Sequence, residues 1–154
     1  MEDKIKIRVA EKTDIPQLVS LLEILFSQEA DFKPDNDKQS KGLEMIIDNP
    51  DNSKNGHILV ATMDNRIVGM VNLIYTSSTV EGAKVVTLED MVINPDHRSF
   101  GIGTFLLRHA IEFSKSQGHK RITLLTDHDN GRAIHVYTKL GFTKSNMIPL
   151  RLKL

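Results

Sequence analysis

Two apolar, β-rich runs, "HILVATM" from His57 and "RIVGMVNLIY" from Arg66, are separated only by Asp64-Asn65. Both intervening residues tolerate the positive φ angles of a tight turn, so the runs are expected to form an antiparallel hairpin. The rest of the chain must be arranged around that ribbon. Upstream, Ile5 to Val9 alternate apolar and basic residues, as a short strand with one buried face would. "TDIPQLVSLLEILFSQE" follows: Thr13 or Asp14 can cap a helix, Pro16 suits its first turn, and Leu18, Leu21, Leu22 and Leu25 recur at helical spacing. "KPDNDKQ" interrupts the pattern, and "SKGLEMIIDNP" reads as a second short helix ended before Pro50.

Downstream of the hairpin, "TSSTVEGA" reads as a loop and "KVVTLEDMVI" as a strand stopped by Asn94-Pro95. A helix is expected from the "GIG" of residues 101–103 to Gly118, then a strand in "RITLLT". "DNGRAIHVYTKLG" reads as a last helix ended by Gly141, and the alternation of "MIPLRLKL" predicts a final strand. The order β-α-α-β-β-β-α-β-α-β describes one α/β domain over residues 1–154, with a mixed central sheet flanked by helices.

The chain has 154 residues, 40% of them hydrophobic and 26% charged, within the range of water-soluble domains. Lysine plus arginine balance aspartate plus glutamate, so no global field steers it to nucleic acid or an anionic membrane. No apolar run reaches the roughly 18 residues of a membrane span, and the first residues lack the apolar core of a signal peptide. A cytoplasmic protein is the expectation. Without cysteine there is neither a thiolate nucleophile nor a thiolate metal site, and no His-x-x-x-His spacing replaces it; no metal is expected.

"HRSFGIGTFLLRHA" puts an arginine and two glycines at the head of a helix. A helix N-terminus offers backbone N–H groups without intrahelical partners, and the helix dipole adds partial positive charge. Glycines let a phosphate come close, and Arg98 can contact it or brace the loop. A dinucleotide fingerprint would need glycine at Leu106, and a Walker loop would need Lys after Gly103; both fail. On these residues alone a tight turn serves as well as a phosphate site.

The stretch from Leu88 to Gly103, "LEDMVINPDHRSFGIG", resembles the cofactor motif of the GNAT family of N-acetyltransferases. That signature is Arg or Gln, two residues, Gly, one residue, then Gly or Ala, which Arg98, Gly101 and Gly103 satisfy. A second motif follows in "DNGRAIHVYTKLGF", with Asn130, Ala133, Tyr137 and Gly141-Phe142 in the family's order. The resemblance implies a GNAT-like acyl-CoA N-acyltransferase fold and acetyl transfer from acetyl-CoA to a primary amine of a small molecule or peptide. Arg98, Ser99, Phe100, Gly101, Ile102, Gly103 and Thr104 would then hold the CoA pyrophosphate. Met91, Val92 and Ile93 would pair with the pantetheine arm, and Asn130 would contact the cofactor. Ser99 and Phe100 depart from the usual glycine and polar residue; the contacts being mainly backbone N–H groups, Phe100 is free to pack on the cofactor instead.

An ammonium must lose a proton before it can attack, which requires a base or a water chain leading to one. Strict alternation would put Glu89 on one face with Thr87, Met91 and Ile93, and Asp90 on the other with Leu88 and Val92. The resemblance favours Glu89 as the base and Tyr137 as the acid that protonates the departing thiolate. Without cysteine, transfer is expected directly within a ternary complex. Acidic Glu29, Asp31, Asp35 and Asp37 would favour a cationic acceptor, and Asp127 would help orient it. The rival reading is a non-catalytic acyl-CoA-binding regulatory module, which would keep the loop but need neither Glu89 nor Tyr137. A homodimer is open, since the final alternating segment could pair with a second chain as readily as cover a sheet edge.

Overall fold

The computed structural model describes residues 4–48, 55–98 and 100–154. Pro50 and Ser99 lie outside the described residues. The strands are β1 (Ile5–Val9), β2 (Gly56–Met63), β3 (Arg66–Ser78), β4 (Ala83–Ile93) and β5 (Ile122–Leu124). The helices are α1 (Ile15–Gln28), α2 (Asn36–Ile47), α3 (Ile102–Ser116) and α4 (Gly131–Lys139). The sheet runs β1-β2-β3-β4-β5, antiparallel up to β4, with β5 parallel to β4. This is the mixed α/β architecture expected from the element order, save for its last strand.

The central hairpin closes as its turn chemistry requires. Asp64 and Asn65 take φ of 51° and 63°, and Met63 pairs with Arg66 across them. Both faces of the hairpin are covered. Ile58, Val60 and Met70 pack with Leu18, Leu22 and Leu43 of α1 and α2, while Leu59, Val71 and Leu73 pack with Leu106, Leu107 and Ala110 of α3. Double coverage explains why these strands read as unbroken apolar runs rather than alternating ones. From α4, Val136, Tyr137 and Leu140 join the α3 side.

Several boundaries differ from expectation for identifiable reasons. Helix α2 starts at Asn36, inside the segment read as a break. The Asp35 carboxylate accepts the Lys38 N–H at 3.1 Å, and the Asp35 N–H donates to Gln39 Oε1 at 2.6 Å. That reciprocal cap lets a polar, exposed turn begin the helix. Strand β3 continues to Ser78, so the loop after it shrinks to residues 79–82. "MIPLRLKL" forms no strand: Ile148, Leu150 and Leu152 are 78%, 90% and 84% exposed. Alternation alone does not make a strand without ladder bonds, and Pro149 removes one donor. The segment is instead tied by Arg151, whose guanidinium meets Asp31 at 3.1 Å and lies 5.2 Å from the Phe32 ring.

Asp14 precedes α1 but does not cap it with its side chain. Its carboxylate accepts two bonds from the Arg8 guanidinium, at 2.7 and 3.0 Å, and one from the Glu11 N–H at 2.7 Å. This ties β1 to the start of α1. Asp14 is buried, and Arg8 beside it holds its carboxyl below the ordinary value of 3.8. A depressed carboxyl contributes stability above its unfolded pKa and loses it as pH falls through the folded one. Arg8→Ala is therefore expected to cost about 1–3 kcal/mol at pH 7 by stranding a buried carboxylate. Urea denaturation should show the gap to the parent narrowing as pH falls below 3.8.

Candidate active site

The site begins where two strands part. Strand β5 pairs with β4 only through Val86, Thr87 and Leu88. Beyond Leu88, β4 continues to Ile93 with β3 as its one neighbour, so its other backbone edge is open. A cleft of about 490 Å³ lies along that edge. Met91, Val92 and Ile93 line it from β4, and Asn130, Arg132, Ala133, Val136 and Tyr137 from α4 and its cap. Leu25 and Gln28 of α1 reach it from the far side of the sheet.

The loop after β4 is held by its own polar groups. The Asn94 N–H donates to the Val68 carbonyl at 2.8 Å, and its side-chain oxygen accepts the Asp96 N–H at 3.0 Å. A single 3₁₀ turn, Pro95–His97, follows. Arg98 Nε then donates back to the Ile93 carbonyl at 3.1 Å, so the arginine braces the loop against the strand it has left. Gly101 sits at the N-cap of α3 with φ of 75°, a left-handed conformation that costs glycine little. Among the described residues, no side chain caps this helix end. The first-turn N–H groups of Ile102, Gly103 and Thr104 have no carbonyl four residues back within the helix, and all three residues line the cleft.

The cleft thus gathers Met91, Val92, Ile93, Arg98, Gly101, Ile102, Gly103, Thr104, Asn130 and Tyr137. Phe100 stands apart and is 52% exposed. Asn130 caps α4, its side-chain oxygen accepting the Ala133 N–H at 3.3 Å. His97 also lines the cleft, and its buried Nδ1 has no partner among the described residues. His128 and His135 are exposed. Tyr137 packs edge-on to Phe142, ring centres 5.8 Å apart, and burial pushes its phenol up from 10, so it stays protonated.

Strict alternation fails in the middle of β4. Asn72 pairs with Glu89 and Met70 with Val92, so Asp90 and Met91 together face the single residue Val71. This is a β-bulge, and Asp90 takes φ of 50° within it. The extra residue reverses the faces downstream. Leu88, Met91 and Ile93 pack toward α3, while Val92 packs toward α1 and α2. Glu89 therefore does not share a face with Met91 and Ile93, nor Leu88 with Val92. Neither Glu89 nor Asp90 lines the cleft, which starts at the next residue, Met91; Glu89 is exposed. Asp90 is partly buried, and Asn72 Nδ2 donates to its Oδ2 at 2.8 Å.

The surroundings of Asp90 are negative. Burial, and then the Glu89 charge, push its carboxyl up from 3.8 to about 6, with the Asn72 bond pulling the other way. Glu29, at the end of α1, is also raised, first by burial and then by Asp90, Asp127 and Asp31. Carboxylates from three segments therefore feel one another, two of them adjacent in the chain to the cleft-lining Gln28 and Met91. Among the described residues, no group of three is gathered closely enough to hold a metal ion. No helix there is long and apolar enough to cross a membrane.

Comparison with known proteins agrees with this geometry. The model of the acetyltransferase (GNAT) family matches residues 18–142. A streptothricin acetyltransferase of Streptomyces lavendulae is 40% identical over 57 residues, 37% of this chain and 30% of its own. An uncharacterized N-acetyltransferase of Methanocaldococcus jannaschii is 34% identical over 71 residues, 46% of this chain and 31% of its own. The chain thus matches about a third of the length of these two curated relatives. The crystal structure of an aminoglycoside acetyltransferase from an uncultured soil metagenomic sample, in complex with sisomicin, superposes with a TM-score of 0.79. That alignment covers 99% of this chain and 98% of the other at 19% identity, which speaks to the fold.

The raised Asp90 carboxyl has a measurable consequence. A group whose folded pKa lies above its unfolded one stabilises the fold below the unfolded value and loses that contribution as pH rises through the folded value. For Asp90 the window runs from 3.8 to about 6. Asp90→Asn removes the buried charge and suits a positive φ. It is expected to raise stability by roughly 1–2 kcal/mol at pH 8, a gain that fades below pH 4. Thermal denaturation across that range checks it.

Proposed function

Because the chain belongs to the GNAT acetyltransferase family, we propose that it transfers the acetyl group of acetyl-CoA to a primary amine of a cationic acceptor, by direct attack in a ternary complex. The observation that carries the reading is the parting of β4 from β5, which leaves an open strand edge beside an uncapped helix N-terminus. The residues present fit the co-substrate. A Cβ on Gly103 would meet only Ile93 and Met91, at 3.6 and 3.7 Å, so the absent methyl leaves room on the ligand's side.

Backbone N–H groups of Ile102, Gly103 and Thr104 bind the pyrophosphate, with Arg98 and Arg132 adding positive charge. The open edge of Met91, Val92 and Ile93 receives the pantetheine amides as an added strand would. When bound, acetyl-CoA supplies an activated thioester. A backbone N–H of that edge stabilises the oxyanion as the amine attacks. Tyr137, kept protonated by burial, delivers its proton to the leaving sulfur, whose thiol has a pKa of about 8.5.

The base is Asp90 in the bulge or Glu89 immediately before it. Glu89 is exposed, whereas Asp90 is partly buried with a carboxyl near 6, close to the optimum for a base working around neutrality. Asp90 is therefore the better supported proton acceptor, directly or through water, and Glu89 adds negative charge beside it. Glu29, Asp31 and Asp127, coupled to one another beside the cleft-lining Gln28, would favour a cation over a neutral or anionic amine. Aminoglycosides and polyamines, which carry several amines, belong to this class of acceptor.

Calorimetric titration with acetyl-CoA, followed by thiol release over polyamines, aminoglycosides, amino acids and peptides, tests the reading. Binding, with release fastest for acceptors carrying a second positive charge, is expected. Binding without release from any amine would favour a regulatory acyl-CoA module, and absence of binding would overturn the proposal. Tyr137→Phe should lower kcat at least about tenfold while leaving acetyl-CoA affinity within about twofold. Gly103→Ala should leave the melting temperature unchanged or slightly raised, because alanine suits a helix better, yet weaken acetyl-CoA binding by about tenfold.

A further inference from the structure

Asn72 is the polar exception in "VGMVNLIY", the most buried stretch of β3, and is itself 3% exposed. An amide in such a place is expected to have its hydrogen bonds satisfied. Here the one side-chain bond, from Nδ2, goes to Asp90 Oδ2 at 2.8 Å, while Oδ1 has no partner among the described residues. An apolar side chain of similar shape would fill the same space without an unpaired oxygen. Among the described residues, the amide therefore has one polar partner, Asp90.

The geometry fits that task. Asn72 pairs with Glu89, the residue immediately before the bulge, so its amide lies beside the point where β4 leaves regular alternation. Asp90 occupies a left-handed conformation that a non-glycine residue keeps only when its surroundings hold it. We infer that Asn72 is a positioning residue for the acetyl transfer: its Nδ2–H fixes the Asp90 carboxylate at the bulge and keeps it available as the acceptor of the amine's proton. The inference rests on the acetyl-transfer reading and on Asp90 as the base within it.

Among the described residues, the charges acting on Asp90 and Glu29 are negative. Glu89 acts on Asp90 from its own strand, and Asp90 in turn raises the carboxyl of Glu29 at the end of α1, as do Asp127, after β5, and Asp31, between α1 and α2. Burial and the Glu89 charge oppose ionisation of Asp90. The Asn72 donor opposes them, because a hydrogen bond to the ionised form favours it. Without that donor the carboxyl would be protonated over more of the range in which an amine must be deprotonated.

The test is a paired titration of the full chain. The Asp90 side-chain carboxyl is followed by 13C NMR in the parent, in Asn72→Leu, which removes the donor at similar volume, and in Asn72→Thr, which keeps a shorter hydroxyl donor. Alongside, kcat/KM is measured against pH with the best acceptor. Asn72→Leu should move both the carboxyl titration and the acidic limb upward by about one pH unit, with the loss of rate shrinking as pH rises. Asn72→Thr should fall between it and the parent. An unmoved carboxyl titration would overturn the inference, as would a rate loss equal at every pH or a carboxyl that moves while the limb does not. The NMR arm needs no acceptor, so failure to find any amine substrate would count against acetyl transfer while the coupling of Asn72 to Asp90 was still read.

Discussion

Opposite Val71, strand β4 spends two residues where β3 spends one. The bulge lies just beyond Leu88, where pairing to β5 ends, so β4 turns its side chains over as it enters the cleft. Met91 and Ile93 reach the α3 side, Val92 turns toward α1, and the backbone edge of all three stays open. Asp90, the extra residue, lies beside the negative end of α1 at Glu29. Had β4 remained regular, Met91 and Ile93 would pack on the opposite face, and the cleft would lose its present wall.

The two ends of the cleft have opposite electrostatics, each built from a different resource. At one end the partial charge of a helix N-terminus, left uncapped behind Gly101, is joined by Arg98 and Arg132. At the other, carboxylates from α1, β4 and the segment after β5 crowd together, at a cost visible in the raised Asp90 and Glu29. This polarity arises within a chain of zero formal net charge, so it comes from placement rather than composition.

Much of the fold was legible because its signals were local. Asp64-Asn65 forced the hairpin, Pro16 and the leucine spacing set α1, and the glycines at 101 and 103 marked the start of α3. What could not be read was set by partners distant in sequence. The bulge leaves no turn residue in "LEDMVI", so Glu89 and Asp90 seemed to obey alternation. Asp14 looked like a helix cap but was claimed by Arg8. "MIPLRLKL" has strand periodicity but forms no ladder with the sheet. Asn72 did carry a signal, one amide in an apolar run, whose meaning appears only when Asp90 is found 2.8 Å away.

Amide-resolved NMR during titration with coenzyme A tests the central claim most directly, because it asks where the ligand sits rather than what it does. The largest shifts are expected at Gly101, Ile102, Gly103 and Thr104, continuing along Met91, Val92 and Ile93 on β4. Shifts concentrated instead in the groove of Ile7, Val9, His109 and Phe113, on the other side of α3, would contradict it, and so would the absence of any saturable shift.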